Sequence, residues 1–159
     1  MNESSSPPPM SIDSERSYTA RLKTVHGEVE VDLAPKAAPV TVNNFVHLAR
    51  SGFYNGLTFH RVVPGFVVQG GDPDGDGTGG PPYKLPDETN PAAWTKGSLA
   101  MASSALGVSG SQFFLVLEDA PHLAHSGVYN HFGRVRSGQE VLAKIRPGDV
   151  IQSIEISEA

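Results

Sequence analysis

The stretch Phe59–Asp72 contains the residues whose types most readily indicate chemistry. Its sequence, FHRVVPGFVVQGGD, combines one arginine, two phenylalanines, four valines and one glutamine. The valines are typical of a strand that faces a core, whereas Arg61 and Gln69 would need polar partners in such a strand. From spacing alone two ordinary explanations stay open. Arg61 forms a surface ion pair, or Gln69 is a hydrogen-bonded core amide.

A glycine pattern after this stretch has the residue spacing of a dinucleotide-binding fingerprint but not its structural context. Gly75, Gly77 and Gly80 satisfy G-x-G-x-x-G. The fingerprint requires a helix immediately afterwards, which Pro81-Pro82 prevents. We therefore expect no nucleotide cofactor here.

The same region resembles the start of a calcium-binding loop. Asp72, Asp74 and Asp76 have the required spacing, followed by Gly77. The twelfth position, which should be a bidentate glutamate, is Tyr83. A flexible polar loop is the preferred interpretation.

Two further groups could belong to a hydrolytic or metal site. His122, His125 and His131 lie close in the sequence, but they have no cysteine or paired carboxylate beside them. Ser109 lies in GVSGS, which departs from the nucleophile elbow at its fifth position. We expect no metal and no cofactor.

The composition predicts one ordinary globular domain. The chain has 159 residues, a net charge of -5 and no cysteine, which excludes disulfides and thiolate catalysis. Basic residues are not clustered, so a nucleic-acid partner is not expected. Neither a membrane-spanning run nor a secretory signal is visible, and we expect a cytoplasmic protein that does not bind membranes.

Two regions differ in composition. Residues 1–17 are rich in serine and proline, and we predict a disordered tail with almost nothing to bury. Within the tail, Pro7-Pro8-Pro9 would suit a proline-reading partner, although a solvated leader is the simpler interpretation. Residues 18–159 form the predicted folded domain.

The start of the domain shows clear periodicities. Residues 18–25 and 28–33 are strand-like, with a tight turn at His26-Gly27, and residues 28–33 alternate as a half-buried strand does. From Pro39 to Ser51 apolar residues recur with helical spacing, and Gly52 follows as a helix stop.

The rest of the chain reads as short strands with glycine and proline turns. Strands are predicted at 58–63, 66–69, 98–102, 112–117, 131–135 and 151–156, and a second helix at Gly138–Ile145. This pattern predicts a mainly β fold, a closed antiparallel barrel capped by two α-helices.

Four blocks in order resemble the cyclophilin family of peptidyl-prolyl cis/trans isomerases. They are Phe59–Asp72, Ser98–Ala102, Ser109–Phe114 and His131–Val135. The similarity extends from about Tyr18 to Ile156, and the short loops resemble the bacterial branch. It implies an eight-stranded barrel with a helix over each open end and an active site on its outer face.

The resemblance also implies roles for individual residues. Arg61 matches the catalytic arginine, and Gln69 and Gln112 match the polar residues that hold Arg61 and the substrate backbone. Ala102 and Ser103 match the strand edge that binds residues before the proline. The walls of the proline pocket match Phe66, Val67, Phe114 and Leu123. The implied partners are proline-containing peptides and unfolded proteins. The protein itself is expected to be a monomer.

Three positions depart from the best-known eukaryotic members. His122 stands where those have tryptophan, and Tyr129 stands where those have a histidine that lines the pocket. Because the family's tryptophan supports cyclosporin binding, we expect reduced affinity for cyclosporin. Ser103 replaces a common asparagine, which matters little if its backbone is what binds.

Two other classes of function stay open beside the isomerase. One is a binding module or holdase for proline peptides with vestigial catalysis, which the presence of Arg61, Gln69 and Phe114 disfavours. The other is a metal-dependent enzyme built on the histidines.

Overall fold

The chain folds around one antiparallel sheet, described for residues 6–159 by a computed structural model. The strands are β1 Tyr18–Thr24, β2 Gly27–Leu33, β3 Arg61–Val63, β4 Val67–Gly70, β5 Lys84–Leu85, β6 Ser98–Ser104, β7 Gly107–Val116, β8 His131–Ser137 and β9 Ser153–Glu158. The α-helices are α1 Pro39–Arg50 and α2 Gln139–Leu142, and a 3-10 turn covers Pro121–Ala124.

The sheet has the order β3-β4-β7-β6-β8-β2-β1-β9, with the short β5 paired to β7 off this path. Its two ends meet through the segments that precede β3 and β9. Phe59 N donates to the Asp149 carbonyl at 2.9 Å, and Ile151 N donates to the Leu57 carbonyl at 2.7 Å. The predicted mainly β, antiparallel architecture is confirmed. Within residues 6–159 the barrel is joined at this seam by these loop segments, not by pairing between β3 and β9.

The seam explains one difference from the predicted strands. Residues 58–63 were expected to form one strand, but β3 begins only at Arg61. The earlier residues pair with the loop before β9 instead, through a bridge between Thr58 and Val150. Strand period alone does not reveal which partner a segment will have.

Helix α1 closes one side of the core as its periodicity predicts. Val42, Phe45, Val46 and Ala49 are buried, and the helix packs against β9 and β7. Proline at its first position costs no hydrogen bond, because that backbone N–H would be unpaired anyway. Gly52 follows with φ 79, as a helix stop requires.

Helix α2 is shorter than the predicted Gly138–Ile145. It contains only Gln139–Leu142, preceded by Gly138 in a left-handed conformation with φ 92. Beyond it the chain turns back towards β9, and Arg146 N donates to Asp149 Oδ2 at 2.7 Å. Pro147 lacks the N–H that a continuing helix would use. No helix in the described part of the chain is long and apolar enough to span a membrane.

The N-terminal segment makes specific contacts where a disordered tail was expected. Residues 1–5 of that tail lie outside the described residues. Further on, the fully buried amide of Asn43 accepts from Ser11 N at 2.8 Å and donates to the carbonyl oxygens of Pro8 and Pro9 at 3.2 and 3.1 Å. Ile12 packs against the main core. Asn43 is the physical reason, because its amide satisfies backbone groups that no strand pairs.

Replacing Asn43 by alanine should therefore lower stability. The loss leaves backbone groups of the segment without partners, and we expect the free energy of unfolding to fall by roughly 1–3 kcal/mol. Urea unfolding measures it, with the exposed Asn55→Ala as the matched control. The substitution should have little further effect in a chain that lacks residues 1–13. Equal stability of Asn43→Ala and Asn55→Ala would contradict the assignment.

Candidate active site

Arg61 is the first residue of β3 and lies directly opposite Gln69 on β4. Cross-strand partners point to the same face of a sheet, and Arg61 Nη1 donates to Gln69 Oε1 at 3.4 Å. The guanidinium is exposed. Among residues 6–159 it forms no ion pair with a carboxylate. The surface ion pair considered from sequence is therefore not formed, and a neutral amide holds the cation.

Gln69 is oriented in turn by Gln112. Gln69 Nε2 donates to Gln112 Oε1 at 3.0 Å, and Gln112 Nε2 donates to the carbonyl oxygens of Gly79 and Gly77 at 2.8 and 3.1 Å. Backbone carbonyls only accept, so the amide of Gln112 must point its nitrogen at them. Its oxygen then faces Gln69, and the oxygen of Gln69 faces Arg61. We call Arg61, Gln69 and Gln112 the amide chain.

A pocket with both apolar and polar side chains in its walls lies beside Arg61. It has a volume of about 190 Å³ and is lined by Arg61, Phe66, Val67, Gln69, Ala102, Ser103, Phe114, Leu123 and Tyr129. Val67, Phe114 and Leu123 are buried, and the rings of Phe114 and Tyr129 meet edge to face at 5.5 Å. The structure thus brings together most of the site residues predicted from sequence. Only Gln112 and His122 lie outside this lining.

Strand alternation divides the aromatic pair of β7 between two cores. Phe113 points into the main core inside the sheet, whereas Phe114 belongs to a second cluster on the outside. On β4, Val68 and Val67 divide in the same way. Gln69 pairs with Phe114 across the two strands, so Phe114 lies beside the amide chain.

The β3–β4 turn and the end of β6 complete the walls. Gly65 has φ 74, which allows the tight reversal that brings Phe66 to the pocket. On β6 the ladder with β8 ends at Ala100, and the register with β7 shifts between Met101 and Ser103. Ala102 and Ser103 therefore lie on a stretch of strand edge beside the pocket. A second cavity of about 280 Å³ shares Gln69, Ala102 and Ser103 with it and contains Gln112.

Comparison with known proteins identifies the family. The sequence profile of the cyclophilin type peptidyl-prolyl cis-trans isomerase/CLD family matches residues 19–158. The chain belongs to the cyclophilin family. It is a peptidyl-prolyl cis-trans isomerase, as the names of its relatives indicate.

Its cyclophilin relatives include bacterial enzymes. Peptidyl-prolyl cis-trans isomerase B of Bacillus subtilis is 50% identical over 131 residues, 81% of this chain and 90% of the relative. An isomerase of Helicobacter pylori is 47% identical over 144 residues, 88% of this chain and 87% of the relative. A Cryptosporidium parvum cyclophilin structure has a TM-score of 0.81 at 32% identity, covering 89% of this chain and 98% of that one.

His122 and Tyr129, the two pocket positions expected from the sequence to differ from eukaryotic members, occupy different places. Tyr129 lines the pocket. His122 lies outside that lining and packs its ring on Phe66, with centroids 5.4 Å apart and planes tilted by 34°. His122 belongs to the 3-10 turn Pro121–Ala124, and Tyr129 follows that turn. The turn buries Leu123 and leaves His122 exposed. His122 thus extends the outer surface of Phe66.

The acidic loop after β4 supports the amide chain of this cyclophilin. Asp72 is buried, and its carboxylate accepts from the backbone N–H of Asp74 at 2.8 Å and of Asp76 at 3.1 Å. Burial opposes ionisation, but the surrounding backbone N–H groups outweigh it and hold the pKa of Asp72 below its usual value. The loop so formed presents the two carbonyls that hold Gln112. Asp72, Asp74 and Asp76, the three residues with calcium-like spacing, each have a carboxylate oxygen within 4.8 Å of the other two.

Sequence reasoning missed Trp94. It lies 8% exposed in the loop before β6, outside the pocket lining, with its ring stacked on Phe114. The one feature of the sequence that distinguished Trp94 is that it is the single tryptophan in the chain. Similarly, nothing in the sequence indicated that the Gly79 carbonyl accepts a hydrogen bond from Gln112.

Replacing Asp72 by asparagine should destabilise the loop. The amide cannot accept as many backbone bonds, so we expect a loss of roughly 1–3 kcal/mol at neutral pH. The lowered pKa means that the ionised form stabilises the wild type above the ordinary aspartate pKa of about 3.9, and that this contribution is lost as pH falls through the folded pKa. The variant should lack that part of the acid destabilisation.

Urea unfolding at neutral and acidic pH compares the two chains, with the exposed Asp74→Asn as control. Equal pH dependence in the wild type and Asp72→Asn would exclude this role for Asp72.

Proposed function

We propose that Arg61 is the catalytic residue of this isomerase and that the adjoining pocket holds the proline ring of the substrate. One observation carries the proposal: a guanidinium held by neutral amides lines a pocket of about 190 Å³ together with several apolar side chains. Phe66, Val67, Phe114, Leu123 and Tyr129 provide the apolar contact. Gln69 orients Arg61, and Gln112 orients Gln69.

The chemistry of the substrate explains why this arrangement suffices. Amide resonance sets a barrier of roughly 18–20 kcal/mol to rotation about an X–Pro bond. No covalent bond breaks, so a catalyst needs only to bind the twisted amide better than either planar form. In the twisted state the prolyl nitrogen regains a lone pair. An N–H donor already positioned near that nitrogen then stabilises the transition state more than the ground state.

Arginine suits this role better than lysine would. The guanidinium stays charged at all relevant pH values, and its planar fork can be fixed by one neighbour. In the amide chain Gln69 accepts from Nη1 without neutralising the charge. A carboxylate in that place would offset the field that the prolyl nitrogen should experience.

The substrate backbone is proposed to lie along Ala102 and Ser103. These residues follow the last residue of β6 that pairs with β8, and they border both cavities. A strand edge binds extended peptides through main-chain hydrogen bonds. The proline ring stays in the pocket while the remainder of the peptide rotates.

The proposed partners are proline-containing peptides and unfolded proteins, whose folding the enzyme would assist. A Cryptosporidium parvum cyclophilin of 31% identity was solved in the presence of the dipeptide Ala-Pro, which supports a short proline peptide as ligand. We further propose a monomer that acts in the cytoplasm and that uses neither nucleic acid, membrane nor cofactor. The charge of -5 supports the absence of a nucleic-acid partner.

Arg61→Ala should remove most of the activity. Loss of a preorganised donor to a transition state typically lowers kcat by about 10²–10³-fold. A protease-coupled assay of an X–Pro peptide measures it, with Arg136→Ala, on β8 and outside the pocket lining, as control. Arg61→Lys should recover only part of the rate. Full activity in Arg61→Ala would refute the catalytic assignment, whereas peptide binding without turnover in the wild type would favour a binding module.

Cyclosporin should inhibit this enzyme more weakly than it inhibits relatives with tryptophan at the position of His122. The imidazole on Phe66 offers less apolar area than an indole. His122→Trp should tighten inhibition about tenfold, equivalent to roughly 1.4 kcal/mol. Titration of isomerase activity with the drug compares the two chains. Tight inhibition of the wild type, unchanged in His122→Trp, would show that the position does not control affinity.

A further inference from the structure

Trp94 contacts two rings that line the proposed proline pocket without lining the pocket itself. Its ring is nearly parallel to that of Phe114, with centroids 6.1 Å apart and planes at 12°. It meets Tyr129 edge to face at 6.1 Å and 80°, and Tyr129 in turn meets Phe114 at 5.5 Å. The three rings therefore form a closed triangle. Phe114 and Tyr129 line the pocket, whereas Trp94 does not.

The peptide unit that joins Trp94 to Thr95 is fixed by two hydrogen bonds. Its carbonyl accepts from Ala120 N at 3.0 Å. The next residue, Thr95, donates its backbone N–H to Ser98 Oγ at 3.1 Å. The loop that carries the indole is thus joined to the segment before the 3-10 turn and to the start of β6.

A buried histidine also packs against the indole. The His131 ring lies 4.9 Å from that of Trp94 at 70°, and His131 Nε2 lies 3.0 Å from Ser98 Oγ. Burial first, and the charge of Arg134 second, lower the pKa of His131 to about 4. The imidazole is consequently neutral near pH 7 and packs against the indole without bringing a charge into the cluster.

We propose that Trp94 is a positioning residue of the proline pocket, which fixes the ring planes of Phe114 and Tyr129 without touching the substrate. The proposal rests on the assignment of the pocket to proline above. Rotation of aromatic rings about their terminal side-chain torsion is broad, so a pocket wall made of rings needs a backing surface. Rings held in place before binding lose less conformational freedom when proline enters.

This role has a kinetic signature that differs from that of Arg61. The proline ring is held by apolar contact in the planar and the twisted states alike. Loosening the wall should therefore weaken binding of both states equally, which raises KM and leaves kcat nearly unchanged. Removing Arg61 should instead lower kcat, because its donor acts in the twisted state.

Kinetics of Trp94 variants test the proposal. Trp94→Leu should raise KM about three- to tenfold with kcat within about twofold of wild type, and Trp94→Phe should restore most of the affinity. Phe45→Leu is the matched control. It alters a buried ring of the main core, which packs on Tyr54, Phe113 and Phe132 away from the pocket, so it should lower stability and leave KM unchanged.

A KM in Trp94→Leu that equals the wild-type value, or that rises no more than in Phe45→Leu, would overturn the proposal. So would a fall in kcat at unchanged KM, which would mean that Trp94 acts on the twisted state.

Tryptophan emission gives an independent readout, because Trp94 is the single tryptophan of the chain. Ala-Pro titrated into the wild type should change the emission and saturate at the concentrations that inhibit turnover, whereas Ala-Ala should leave it unchanged. Inhibition by Ala-Pro without any change in emission would overturn the coupling between Trp94 and the pocket. If Ala-Pro neither inhibits nor changes emission, the assignment of the pocket to proline fails first.

Discussion

The register between β4 and β7 is the constraint on which the active site depends. It places Gln69 opposite Phe114 and Gly70 opposite Phe113. Because side chains alternate across a strand, this register sends Phe113 into the barrel and Phe114 to the outer pocket. A slip by one residue would exchange the two faces, removing a ring from the main core and the wall from beside Arg61. Burial of the core thus enforces the geometry of the site.

Within residues 6–159, no carboxylate forms an ion pair with Arg61. The amide chain holds Arg61 by hydrogen bonds that end on two backbone carbonyls, those of Gly77 and Gly79. Those carbonyls are held in turn by a loop folded around the ionised Asp72. The negative charge of Asp72 therefore interacts with backbone N–H groups and does not contact the guanidinium of Arg61 directly. Arg61 keeps its field directed at the pocket.

Local features of the fold were readable from the sequence, because they depend on neighbours along the chain. The alternation of β2 and the helical period of α1 are examples. The strand-and-turn pattern also indicated a mainly β barrel, and the ordered motifs indicated the family. Features that depend on partners far away in the chain could not be predicted from the sequence. The seam beside Thr58 and the segment held by Asn43 both result from contacts between residues far apart in sequence. The same holds for Trp94, which becomes informative only when Phe114 and Tyr129 are seen beside it.

The separation of the outer cluster from the barrel interior has a consequence for variation and engineering. Phe66, Leu123 and Tyr129 pack in or against a cluster that shares strands, but not side chains, with the main core. Changes there need not open cavities around Phe45, Phe113 or Phe132. The fold can therefore tolerate substitutions that retune ligand preference, and the recognition surface can diverge between relatives while the scaffold stays the same.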